Sequence, residues 1–224
     1  MQMTCLDRDE VVRLAALATG DEKHEASSYS TLDVLTVLYG CILDVDPADP
    51  GWEGRDRFIL SKGHGPAAFY AVLCNRGFFP EDWLHTFMRH GSPLGSHPDR
   101  LLVPGVEAST GSLGHGLPMA VGVAAALRAK GAGPRVVVLT GDAELNEGSN
   151  WEAIMLAPAL GLENLTLVVV DNGSSSIRLD PVAARLGAFG WPAETVDGRD
   201  HAALERALTP RGLRAVVADV KAER

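Results

Sequence analysis

The sequence predicts an α/β domain, with a mainly parallel sheet and helices on both of its faces. Three observations carry this. Residues 135–140 (RVVVLT) and 165–170 (LTLVVV) are near-continuous aliphatic runs, the pattern of strands buried on both faces. Residues 147–160 between them read as a helix, which makes a βαβ unit. Two further strand-like runs, 193–196 and 214–220, flank a helical segment at 200–208, so strands and helices alternate.

The other elements follow in chain order. Residues 7–19 form an amphipathic pattern with Val11, Leu14, Ala15 and Ala18 on one face. A polar stretch follows, and a second helix is predicted over 31–43. Residues 44–54 hold two Pro and two Gly and read as a loop. A short strand at 57–60 runs into Ser61-Lys62-Gly63-His64-Gly65, and a helix opens at Pro66. Residues 81–89 predict another helix. Residues 90–116 are rich in Gly, Ser, Pro and His, and loops of that length are often functional. A small-residue helix is predicted over 117–130. No repeat or linker divides the chain, so residues 1–224 read as a single domain.

Composition bounds the function. Of 224 residues, 46% are hydrophobic and 22% charged, which excludes disorder and small disulfide scaffolds. Lys+Arg total 20 against 29 Asp+Glu, a formal charge of -9. Such a balance disfavours nucleic acid and polybasic membrane contact. No apolar run approaches the ~18 residues of a membrane span, and no secretory leader is visible, so a cytoplasmic protein is expected. Cys5, Cys41 and Cys74 are an odd, widely spaced set, expected to be idle thiols.

Open α/β sheets bind ligands at the carboxyl ends of their strands. Gly141-Asp142-Ala143-Glu144 and Asp171-Asn172-Gly173-Ser174 directly follow two predicted strands. Their hard oxygens suit Mg²⁺ or Ca²⁺, although both clusters could also be plain turns. Gly111, Gly114 and Gly116 precede a helix and could bring backbone N–H groups to an anion. His24, His64, His97 and His115 lie in polar or Gly-rich segments and could carry protons. Glu147 and Glu152 open the crossover helix, where acids are favourable for structural reasons alone.

Taken together and in order, Ser61-Lys-Gly-His64, Gly95-Ser-His97-Pro-Asp99, the segment 105–116 and Gly141-Asp-Ala-Glu-Leu-Asn-Glu-Gly148 are recognisable. The chain resembles the N-terminal, pyrophosphate-binding domain of transketolases, and most of all the N-terminal subunit of split transketolases. The resemblance runs from about His24 to Asp197. It implies thiamine diphosphate and Mg²⁺ (or Ca²⁺) as cofactors. Asp142, Asn172 and the carbonyl of Ser174 would hold the metal. His64, Gly114, His115, Gly116, Gly141, Ala143 and Glu144 would join Asp142 and Asn172 around the cofactor. His24, His64, His97, His115 and Glu152 would be catalytic, with Glu147 and Glu152 at a subunit interface.

The activity implied is transfer of a two-carbon ketol unit from a ketose or related keto donor to an aldehyde. A separately encoded C-terminal subunit carrying the pyrimidine-binding domain is expected, in an α2β2 assembly. Departures include Ala143 in place of the usual second Gly and a short loop after Asn172, which suggest the scaffold alternative below, and a family histidine near the donor sugar without a counterpart, with which a specialised donor or acceptor is expected. The alternatives are a non-catalytic scaffold, a metal-dependent phosphatase, and a subunit of the deoxyxylulose-phosphate synthase or 2-oxoacid dehydrogenase alpha type.

Overall fold

The computed structural model describes residues 6–18 and 25–221. Five strands form one all-parallel sheet in the order β1-β2-β3-β5-β4. They are β1 (Arg57–Leu60), β2 (Val136–Gly141), β3 (Leu165–Asp171), β4 (Ala193–Asp197) and β5 (Arg214–Asp219). The helices are α1 (Arg8–Leu17), α2 (Glu25–Val37), α3 (Pro66–Asn75), α4 (Gly116–Ala129), α5 (Gly148–Ala159), α6 (Val182–Ala188) and α7 (His201–Leu208).

The period-2 alternation of the central strands sorts the core into two layers. Val137, Leu139, Val168, Val170, Val216 and Ala218 face the layer holding buried residues of α1, α2, α3 and α7. Val136, Val138, Leu167, Val169, Ala215 and Val217 face the layer holding those of α4, α5 and α6. With apolar partners on both faces, β2 and β3 are buried at every position, which is why they read as unbroken aliphatic runs. β4 pairs only with β5, and its Glu194 and Thr195 are exposed, which blunts that edge.

Some elements differ from the sequence expectation. The second helix begins at Glu25 rather than at 31 and ends in a π-helical turn, Leu38–Ile42. Residues 81–86 are a 3-10 helix rather than an α-helix. α6 is an element the sequence pattern does not predict. The cysteine expectation holds for Cys74, a free thiol pushed up to about 11 by burial. It fails for Cys41, which is disulfide-bonded, because sequence spacing carries no information on spatial approach. Among the described residues, no helix is long and apolar enough to cross a membrane.

Two buried acids tie elements together away from the strand ends that carry the candidate clusters. Asp33 on α2 accepts from Arg8 Nε at 2.6 Å and pairs with His201 Nε2 at 2.9 Å, joining α1, α2 and α7. Asp56 accepts the backbone N–H groups of Asp44 and Arg135, which fixes the entry to β1 beside β2.

Candidate active site

The carboxyl ends of β1, β2 and β3 lie side by side, and the loops leaving them converge. The register pairs Gly141 with Val170, and Asp142 N–H donates to the Val170 carbonyl, so Asp142 sits one residue past the end of β2. The following loop of β3 folds over it. Ser174 Oγ donates to Asp142 Oδ1 at 2.9 Å and Ser175 N–H to Oδ2 at 3.0 Å. Asn172 Oδ1 accepts from Ser174 N–H at 3.2 Å.

The two aspartates at these strand ends are in different electrostatic positions. Asp171 is buried but meets Lys221 Nζ at 2.5 Å. Asp142 is equally buried, and among the described residues it has no cationic partner. A buried carboxylate without a counter-charge is unfavourable unless a cation completes it. Each Asp142 oxygen accepts one hydrogen bond and keeps a free lone pair. A cavity of about 10 Å³ adjoins Asp142, lined also by Asp171, Ser175, Asp180 and Arg178, room for one water-sized occupant, with Arg178 paired to Asp180 at 3.8 Å. The residues present therefore fit a hard divalent cation with oxygen ligands. Among the described residues no group of three or more His, Cys, Asp or Glu could hold a metal, so an amide and a carbonyl oxygen must contribute to any such set.

Glu144 organises the neighbouring loops. It is buried on the 3-10 turn Ala143–Asn146. Its Oε1 accepts from Ser61 Oγ at 2.5 Å and from Gly114 N–H at 3.0 Å, and Oε2 accepts from Gly141 N–H at 3.4 Å. Ser61 Oγ in turn accepts Gly116 N–H at 3.1 Å. The N–H groups of Gly114 and Gly116, expected from sequence to be anion donors, are thus engaged with Glu144 and Ser61. Glycine is required at both positions. Gly114 has φ +80°, and a Cβ there would lie 2.6 Å from Glu147 Cβ; a Cβ at Gly116 would fall inside the Ser61 side chain. Ser149 Oγ donates to the Gly114 carbonyl and Asn150 Nδ2 to the Glu144 carbonyl, both at 2.7 Å, which anchors the start of α5 to the same loops.

Burial raises the Glu144 carboxyl above its ordinary value of 4.5, against the opposing hydrogen bonds from Ser61, Gly114 and Gly141 and the charge of Lys62. A carboxyl whose folded value is raised loses stabilisation as pH rises past its unfolded value. Glu144→Gln should therefore gain stability relative to the parent as pH climbs from about 4.5, measured by urea unfolding across pH. A constant difference would show that burial does not dominate here.

The histidines divide by position. His97 lies against Gly111, where a Cβ would come within 2.5 Å of its Cγ, and Gly63 borders the Gly111 carbonyl, so the His64, His97 and Gly111 loops meet. His64, His97 and His115 are all exposed. His115 is the N-cap residue of α4, with Nδ1 at 3.1 Å from the Leu113 carbonyl. His24 lies outside the described residues. Glu147 and Glu152 are exposed on and before α5, and Ala143 is partly exposed. Ser61, Ser175 and Lys221 were missed as site residues by sequence reasoning. Ser61 and Lys221 could have been found by the strand-end rule, since each follows the end of β1 or β5.

Residues 4–214 match the family model for "Transketolase, thiamine diphosphate binding domain". The chain is 49% identical over 95% of its length to "Ferredoxin fas2" of Rhodococcoides fascians, covering 71% of that protein. It is 41% identical over 79% of its length to an apulose-4-phosphate transketolase subunit of Actinobacillus succinogenes, covering 67% of that protein. It is 37% identical over 84% of its length to "6-deoxy-6-sulfo-D-fructose transketolase subunit SqwG" of a Clostridium species, covering 73% of that protein. Transketolase from Leishmania mexicana superposes with a TM-score of 0.81 at 28% identity over 95% of this chain. The chain spans only 35% of that solved transketolase. The family match and the shared parallel sheet show that the chain belongs to the transketolase family and represents its thiamine diphosphate-binding domain.

Proposed function

We propose that the chain is the cofactor-binding subunit of a transketolase that depends on thiamine diphosphate and Mg²⁺. It would transfer a two-carbon ketol unit from a ketose or related keto donor to an aldehyde. The observation that carries the metal assignment is the buried Asp142 at the end of β2, without an ion pair among the described residues and covered by the loop of Asn172 and Ser174. Asp142, Asn172 and the Ser174 carbonyl would hold Mg²⁺, and the cation would hold the diphosphate in a chain that is otherwise acidic. Thiamine diphosphate, when bound, supplies the electron sink for breaking and forming a carbon–carbon bond beside a carbonyl.

The chain's own residues bind and orient. Glu144 and Ser61 set the spacing of the loops after β1 and β2 and the turn into α4. His64, His97 and His115 present exposed imidazoles that can give or take a proton at substrate hydroxyls. His97→Ala should leave thiamine diphosphate affinity within about threefold of the parent and slow turnover by about 100-fold, within the range for loss of an acid–base group. Loss of cofactor binding in that variant would contradict the division of roles.

Two of the relatives are named as transketolase subunits, which supports a separately encoded partner. On this reading the partner carries the pyrimidine-binding domain and the assembly is α2β2. The relatives' names also point to modified sugars, so a specialised ketose donor fits better than a general one. The test is a ketol-transfer assay on the purified chain, by itself and with the partner encoded beside it. Activity is expected only in the mixture. Full turnover by the isolated chain would overturn the split arrangement.

A further inference from the structure

The end of the sheet opposite the candidate active site has the opposite charge. Residues 128–135 contain Arg128, Lys130 and Arg135 and no acid, and residues 206–214 contain Arg206, Arg211 and Arg214 and no acid. In a chain of net charge -9 this is a marked segregation. The fold brings the two segments together. Arg128, Arg135 and Arg211 line one cavity of about 610 Å³ with Asn164, Thr166 and Glu163, at the amino ends of β2 and β3.

These arginines have structural work that uses only part of their capacity. Arg128 donates to the Leu160 carbonyl, Arg211 to the Gly133 carbonyl at 2.8 Å and Arg135 to the Leu208 carbonyl at 3.1 Å. Such contacts suit cations near helix C-termini. Yet a guanidinium has five donors, and a carbonyl does not neutralise it. Among the described residues, Arg128, Arg211 and the nearby Arg214 have no acidic partner, and Arg135 has only Asp56 at 3.4 Å. Among the described residues Glu163 is the one acid lining the cavity. Asn164 Nδ2 donates to the Ala124 carbonyl at 3.1 Å, which leaves the guanidinium groups as the cavity's charged donors.

We infer that this cavity is a second anion site, taking a small dianion of the phosphate type in the forks of Arg128 and Arg211 above Arg135. Paired guanidinium donors match phosphate oxygens, and a phosphate dianion would balance the surplus charge. The site shares no residue with the Asp142 end of the sheet, so it stands or falls independently of the proposed activity.

The test is a ¹H–¹⁵N titration of the ¹⁵N-labelled chain with inorganic phosphate, and with chloride at matched low ionic strength. Gly131, Gly133, Gly161 and Gly212 border the cavity and report on it alone. Saturable shifts at these four amides with phosphate, absent with chloride, are expected. Arg211 is exposed, so Arg211→Glu should fold, shown by unchanged Gly111, Gly114 and Gly116 signals without phosphate. It should weaken the phosphate response by at least about tenfold, the loss of one charge-assisted hydrogen bond. Arg128→Gln, also exposed, should do the same and serves if the first variant misfolds. No saturable shift, an equal response to chloride, or unchanged affinity in a folded variant would each overturn the site.

Discussion

Asp142→Ala is expected to lower Mg²⁺-dependent thiamine diphosphate affinity by at least about 100-fold, more than the loss of a residue that only orients a ligand. The reason is electrostatic. The substitution removes a buried carboxylate that, unlike Asp171 beside it, has no ion pair among the described residues. It also removes the acceptor for Ser174 Oγ and Ser175 N–H, so the loop after β3 would loosen. Asp142→Asn separates the two effects. Its amide oxygen still accepts one of these hydrogen bonds, while the charge is gone. Titration calorimetry with and without Mg²⁺ should show both variants equally impaired. If the Asn variant binds like the parent, Asp142 acts by shaping the loop and not as a metal ligand.

Glu144→Ala is expected to destabilise the domain by about 2–4 kcal/mol, combining lost hydrogen bonds to a buried carboxylate with the cavity left behind. Ser61 Oγ and Gly114 N–H would lose their shared acceptor. The effect should spread, because Ser61 also holds Gly116 N–H at the start of α4. Urea unfolding of the parent and variant measures it. A loss below about 0.5 kcal/mol, the level of an ordinary surface substitution, would show that the three loops are held by packing alone. Cofactor affinity should fall in parallel, since Glu144 joins the segments on which His64, Gly111 and Asp142 are carried.

Much of the architecture was legible because burial on both faces leaves a direct compositional trace. β2 and β3 could hardly be read otherwise. The start of α2 was harder. Glu25-Ala-Ser-Ser-Tyr-Ser30 is poor in strong helix formers, and Ser commonly favours turns and caps, so tertiary context overrides propensity there. α6 is a seven-residue helix with a Gly in it, too short for a period to show.

At the site, the strand-end rule picked out Asp142 and Asn172 from position alone. It could not show that Asp171 is neutralised by Lys221, fifty residues on, while Asp142 is not. Nor could it show that Glu144 turns inward. A carboxylate two residues after the strand-end Asp142 reads as one more ligand candidate, and only its three-dimensional partners make it a brace between loops.

The central claim is that the strand-end loops of this chain bind thiamine diphosphate through a divalent cation held at Asp142. Its most direct test is calorimetric titration of thiamine diphosphate into the chain together with its pyrimidine-domain partner, with Mg²⁺ and again with EDTA. One equivalent per chain is predicted to bind in Mg²⁺ and none in EDTA. Equal binding in both conditions, or none in either, would contradict it.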